Sequence, residues 1–125
     1  MLINNRQESN LIATPHNSEI HPLMDATNSS ITRCSLAEET LPPGAAVYLH
    51  KHQYTEEIYY ILSGSGLMTI GDEQRTVGPG DAIYIPAQSF HSIKNVGLEP
   101  MTILLVCGPA YSPEDHLPWV PAQTD

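Results

Sequence analysis

Between Ile31 and Cys107 the chain is a string of short runs rich in Val, Ile, Leu and Tyr, each closed by Gly, Pro or Asp. No segment sustains an apolar period of 3.6, so long amphipathic helices are excluded. The runs read as strands near Ile31–Leu36, Ala46–His52, Glu57–Ser63, Gly66–Ile70, Gln74–Val77, Ala82–Ile85, His91–Asn95 and Met101–Cys107. Their connections carry turn chemistry: "LPPGA", "SGSG", "GPGDA" and "IPAQS" break the chain, and "IGDEQ" suits a tight hairpin. Many short strands at even spacing imply an all-β fold, an antiparallel sandwich or barrel, with the jelly roll the leading arrangement. Helix is expected only as a turn near "SPEDH".

A chain of 125 residues with 41% apolar content supports one compact domain and needs no disulfide framework. Residues 1–30, rich in Asn, Ser, Thr and His, read as an irregular arm with one possible strand. Residues 31–110 form the barrel. Residues 111–125, with Pro113, Pro118 and Pro121, read as an irregular tail. Five Lys and Arg stand against 14 Asp and Glu, a net charge of −9. That balance repels nucleic acid and anionic membranes, whose phosphates need a basic patch. No apolar run approaches the roughly 18 residues of a membrane span, and "MLINNRQESN" lacks the order of a signal peptide, so a cytoplasmic protein is expected. Cys34 and Cys107, far apart and outside any CxxC spacing, then read as free thiols.

One stretch of this β pattern is chemically unusual. In an extended strand residues i and i+2 share a face, so His50 and His52 of "YLHKH" project together with Tyr48, while Val47 and Leu49 face away. The plain alternative is a strand turned to solvent. Glu57 follows after a short connection, near enough to turn back to the same face, and Glu56 has the opposite parity and is expected in solvent. His91 opens a later strand after the Pro-containing turn "IPAQS". Imidazole suits Zn, Fe and Ni, and an added carboxylate admits Mn. Four such ligands leave open positions on a six-coordinate ion, as a reactive site requires.

These residues carry a family resemblance. "GAAVYLHKHQYTEEIYYILSG", Gly44 to Gly64, resembles the first motif of the cupin superfamily: glycine, five residues, HxH, three or four residues, glutamate, six residues, glycine. "GDAIYIPAQSFHSIKN", Gly80 to Asn95, resembles the second motif, with Pro86, His91 and Asn95 in place. It departs at Gln88, where the family has a glycine that shapes the turn. The departure is expected to alter the loop or bring a polar group, a substrate-binding candidate, to the pocket. The resemblance covers about Leu41 to Cys107. It implies a double-stranded β-helix, the jelly-roll barrel of a small single-domain cupin. It further implies one divalent metal ion per chain (Fe, Mn, Ni or Zn) on His50, His52, Glu57 and His91. Small cupins are commonly homodimers. Here Val47, Leu49, Ile58, Tyr60 and Leu62 would need cover outside the barrel, and the N-terminal arm would reach the partner sheet as an added strand.

Tyr59 shares a face with Glu57, and a phenol beside a divalent cation would have its pKa lowered and serve as acid or base. A tyrosine stands in a similar place in some cupin-type lyases, so Tyr59 is the catalytic candidate, with a plain core tyrosine as the alternative. Tyr48, by parity with His50, and Arg33 in "ITRCS", by pairing with a carboxylate, are substrate-binding candidates. His16, His21 and His116 lie outside both motifs and are expected at solvent or the termini. Ile61, Ile83, Ile85, Met101, Ile103 and Leu105 would fill the interior and limit the ligand to a small molecule. One carboxylate against a dication leaves the site positive, which favours a small anionic or chelating substrate. The expected function is a dioxygenase or a non-redox isomerase or lyase, with a non-catalytic metal- or ligand-binding protein as the alternative.

Overall fold

The computed structural model describes residues 1–120. Eleven strands run in order: β1 (Ile12–Ala13), β2 (Glu19–Met24), β3 (Ser35–Leu41), β4 (His50–His52), β5 (Glu56–Ser63), β6 (Gly66–Ile70), β7 (Glu73–Val77), β8 (Ala82–Ile85), β9 (His91–Asn95), β10 (Met101–Gly108) and β11 (His116–Pro118). They form a six-stranded sheet, β1-β2-β3-β10-β5-β8, and a five-stranded sheet, β11-β4-β9-β6-β7. Every strand pairing is antiparallel. This is the jelly-roll barrel the sequence implies.

Alternation along β5 decides its faces: Glu57, Tyr59 and Ile61 are buried, while Ile58, Tyr60 and Leu62 are exposed. Between the sheets Leu41, Ile61, Ile85, Ile93, Met101 and Ile103 form a closed core at one end of the barrel. Each buried side chain of this size stabilises the fold by about 1.5–3 kcal/mol. Ile83 and Leu105 pack against that core half-buried. The motif residues Gly64 and Asn95 hold its edge. Gly64 has φ +91°, and a Cβ there would sit 2.8 Å from the Met101 Cα. Asn95, fully buried, donates to the carbonyls of Leu41 (3.0 Å) and Glu99 (2.8 Å) and accepts from the Gly97 amide (2.9 Å). These three hydrogen bonds tie the neighbouring segments together.

Several expectations need correction. The strand expected near Ile31–Leu36 lies at Ser35–Leu41. It was hidden because its inward residues, Ser35, Ala37, Glu39 and Leu41, include a carboxylate. The strand expected over Ala46–His52 contracts to His50–His52, with an isolated bridge from Ala46 to Lys94. A bend at Leu49 breaks the alternation, so Val47, expected outside the barrel, is 4% exposed in the core, and Leu49 is half-buried. The N-terminal arm is not irregular. A 3₁₀ turn (Arg6–Glu8), β1 and β2 fold back, and β2 pairs with β3 of its own chain. The tail is ordered as well: a 3₁₀ turn (Pro113–Asp115) matches the turn expected near "SPEDH", and β11 pairs with β4. Pro118 is tolerated because β11 is an edge strand. The last part of the expected tail, 121–125, lies outside the described residues.

Candidate metal centre

β4 and β9 set His50 directly opposite His91, β4 also carries His52, and β5 brings Glu57 in from the other sheet. One ligand atom from each of the four lies within 4.8 Å of the others, and all four residues are buried. The histidine tautomers follow from backbone contacts. The Nδ1 of His50 meets the Tyr48 carbonyl at 2.8 Å and the Nδ1 of His91 meets the Ser89 carbonyl at 3.0 Å. A carbonyl can only accept, so both Nδ1 atoms carry the proton and both Nε2 atoms present lone pairs to the cluster.

The lone pair of His91 lacks a partner. The His91 Nε2 and the Glu57 Oε1 are buried with no hydrogen bond, although they stand 3.3 Å apart. The Nε2 of His52 is 3.5 Å from the same oxygen. A buried unpaired acceptor costs on the order of 1–3 kcal/mol, so two converging orphans at donor-atom spacing fit a cation. The protonation states agree. Burial, reinforced by the neighbouring imidazole of His91, lowers the His50 pKa to about 3, so that ring is neutral. Burial works to raise Glu57, but the adjacent imidazoles of His52 and His91 outweigh it and bring the carboxyl to about 2. For His52 burial pulls down, while Glu57 and then Asp115 pull harder and raise it above its ordinary 6.5.

Above the cluster opens a cavity of about 440 Å³, bordered by His50, His52 and Glu57 and walled largely by apolar side chains such as Ile20, Leu36, Val47 and Leu105. Tyr59 also borders it, 2% exposed, its ring edge-on to His91 with centroids 5.9 Å apart. The pKa lowering expected for this phenol is opposed by the protein's own groups. Burial first, then the charges of Glu57 and Glu39, push it well above 10. Tyr48 borders the cavity but is 59% exposed, its hydroxyl donating to the Pro15 carbonyl at 3.0 Å.

The remaining two substrate candidates are not brought to the cavity. Arg33 is exposed in the bend before β3 and does not line it. Gln88 is exposed and also stands outside it. Instead Gln88 adopts φ +68° and its amide donates to the His52 carbonyl at 2.6 Å. The turn keeps the left-handed geometry that the glycine would supply.

Other residues arrive unannounced by the sequence. His116, expected at solvent, stacks on His50 with centroids 4.3 Å apart and an interplanar angle of 2°. His16, also expected at solvent, borders the cavity and packs edge-on to Tyr48 at 5.0 Å. His21 stays half-buried outside the cavity, its Nδ1 2.6 Å from the Ser9 hydroxyl. Cys107 is buried beside Glu57, with Sγ 3.5 Å from Oε2. Asp115 accepts from the Gln53, Tyr54 and Thr55 amides, each at 3.0 Å, and so ties down the connection between His52 and Glu57. Sequence spacing gave no sign of these contacts, because all but Cys107, on β10, come from an arm or tail with no motif of its own.

The family model for the cupin domain matches residues 37–107, more than half of the chain. The chain belongs to the cupin family. This cupin is 52% identical over 81 residues to an uncharacterised protein of Methanocaldococcus jannaschii, covering 65% of each chain. It is 39% identical over 70 residues to the oxalate-binding protein of Thermotoga maritima, covering 56% of this chain and 58% of that one. The aligned part thus falls short of two thirds of either relative. Among solved structures, a Thermotoga maritima protein described as a predicted oxalate decarboxylase superposes with a TM-score of 0.78 at 26% identity, covering 86% of this cupin and 99% of that chain. No helix among the described residues is long and apolar enough to cross a membrane.

Proposed function

We propose that this cupin is a metal-dependent enzyme acting by proton transfer on a small molecule with a chelating oxygen head and an apolar body. The observation that carries the reading is the pair of orphaned acceptors, Glu57 Oε1 and His91 Nε2, in a four-ligand cluster that borders a largely apolar cavity. His50, His52, Glu57 and His91 would hold Fe, Mn, Ni or Zn. When bound, the ion supplies a Lewis acid that polarises a carbonyl or carboxylate oxygen.

The chain's own groups do the rest. The apolar walls exclude water and hold the substrate body, and the cavity volume lies within the range typical of small-molecule sites, about 300–1,000 Å³. Tyr59, kept protonated by burial, offers its hydroxyl proton to the substrate beside the ligand cluster. His116, stacked on His50, and Asp115, on the connection after His52, keep two ligands in position.

The second reading is binding without turnover, and its support is the relative named as oxalate-binding. Oxalate itself suits this cavity poorly. None of the lining residues is Lys or Arg, while Asp25 and Glu39 line the walls, so a compact dianion would find little counter-charge away from the ion.

Anaerobic reconstitution with Fe(II), Mn(II), Ni(II) and Zn(II), then deuterium exchange and oxygen uptake on 2-oxo and 2-hydroxy acids with four- to eight-carbon tails, tests the reading. Exchange without oxygen uptake is expected, with Tyr59→Phe retaining metal and losing about a hundredfold in rate. Oxygen uptake would establish a dioxygenase instead. Binding without either reaction would establish a carrier.

A further inference from the structure

Away from the metal centre the cavity wall holds one other buried polar cluster. Glu39 projects inward from the middle of β3 and is 3% exposed. Its Oε2 accepts from the buried Ser18 hydroxyl and lies 3.2 Å from the His16 Nε2. Ser18 in turn is 2.6 Å from the Thr14 hydroxyl. Glu39, His16 and Thr14 all border the cavity. A carboxylate facing an imidazole accepts, so Nε2 carries the proton and fixes the ring. The other oxygen, Oε1, accepts no hydrogen bond from the described residues.

Strand register separates this cluster from the ligands. Glu57, Cys107 and Ser35 lie abreast across β5, β10 and β3, and Glu39 stands four residues farther along β3. At about 3.3 Å per residue that is roughly 13 Å of strand. Between them the wall carries Ala37 and Leu105, with the Tyr59 ring abreast of Leu105. Oε1 is not sealed among the buried unpartnered atoms, so it keeps access to the cavity that Glu39 borders, where a ligand's donor can reach it. Two neighbouring groups, the Ser18 hydroxyl and the His16 imidazole, satisfy Oε2 alone.

We propose that Glu39, fixed by His16 and Ser18, is a distal recognition site for a hydrogen-bond donor, a hydroxyl or amino group, at the far end of the ligand whose head meets the ligand cluster. The inference rests on the metal reading for the head and on Glu39 for the tail. It assigns the ligand class as a chelating head, an apolar middle and a donor terminus, and it disfavours a terminal carboxylate, which would face Glu39 with like charge.

The test uses zinc-loaded protein and hydroxamates of six to eight carbons that end in methyl, hydroxyl or carboxylate, with affinities from calorimetry. The hydroxyl series should bind about tenfold more tightly than the methyl series at the best length, and the carboxylate series more weakly than both. Glu39→Leu and the shape-preserving Glu39→Gln should shrink the hydroxyl-to-carboxylate spread to less than about threefold while zinc content stays unchanged. Equal or tighter carboxylate binding by the wild type, or a spread that survives both variants, overturns the proposal and leaves the metal site standing. Should zinc fail to bind, the metal reading falls by itself. The distal site is then read from 1-hexanol and hexanoate with metal-free protein. His16 imidazole signals should move with hexanol and not with hexanoate, and an equal response, or none, overturns it.

Discussion

Asp115→Ala should loosen the metal centre although the lost carboxylate bonds backbone amides and no ligand side chain. The Asp115 carboxylate takes three amides of the connection from His52 to Glu57: Gln53 at 3.0 Å, Tyr54 at 3.0 and 3.3 Å, and Thr55 at 3.0 Å. Hydrogen bonds to a charged group contribute about 1.5–3 kcal/mol each. Tyr54 is 76% exposed, so water can satisfy part of what is lost there, whereas Thr55 is 3% exposed and its amide would be stranded. The net loss should be about 2–4 kcal/mol. A domain of this size shifts its Tm by roughly 3–6 °C per kcal/mol, so a drop of about 10 °C is expected. Slack in the connection also misplaces two of four ligands, which should weaken metal binding about 10- to 100-fold. Asp115→Asn, which keeps one acceptor oxygen and loses the charge, should fall between. Thermal unfolding of metal-free protein and competition with a fluorescent zinc chelator measure the two effects. A Tm within about 2 °C of wild type together with unchanged affinity would refute the positioning role.

Gln88→Gly should stabilise the fold by about 0.5–1 kcal/mol, since glycine relieves the left-handed backbone at φ +68° and the side chain does not line the cavity above the cluster. A lower Tm in that variant would mean that the glutamine side chain contributes a contact of its own. Metal affinity should depend on pH through His52. Its pKa is raised above 6.5, so below that value a bound ion must displace its proton, while His50 (about 3) and Glu57 (about 2) are already in ligand form. Affinity should therefore fall about tenfold per pH unit as pH drops through and below the His52 pKa, and a flat profile from pH 8 to 5 would contradict the assignment. We propose a homodimer through the outer face of β5 and β8, where Ile58 (44%), Tyr60 (40%), Leu62 (44%) and Tyr84 (58%) are exposed. Sedimentation at micromolar concentration should give twice the chain mass, and Tyr60→Glu with Leu62→Glu should halve it, whereas a wild-type monomer sinks the idea.

The barrel was legible because most of its strands advertise themselves. Gly66–Ile70, Ala82–Ile85 and His91–Asn95 have the expected bounds, each closed by turn chemistry that works locally. The four-residue cluster was legible because HxH on a strand and a carboxylate shortly after constrain each other across a short distance. What escaped is what depends on distant chain segments. β3 carries a buried carboxylate, so its pattern reads as polar until His16 and Ser18 are known to face it. Val47 moved inside because the bend at Leu49 resets the alternation on which parity rests. His116 and Asp115 reach the site only through the pairing of β11 with β4 and the turn before it. A proline-rich tail gives no local sign of that pairing.

The central claim is that His50, His52, Glu57 and His91 hold a divalent ion. Metal analysis of the purified protein after reconstitution, with the His50→Ala/His52→Ala double variant alongside, tests it most directly. The account predicts about one equivalent per chain for the wild type and almost none for the variant, since two of four ligands are gone while the barrel core is untouched. A folded double variant that keeps its full metal content, or a wild type that takes up none of Fe, Mn, Ni or Zn, would contradict it.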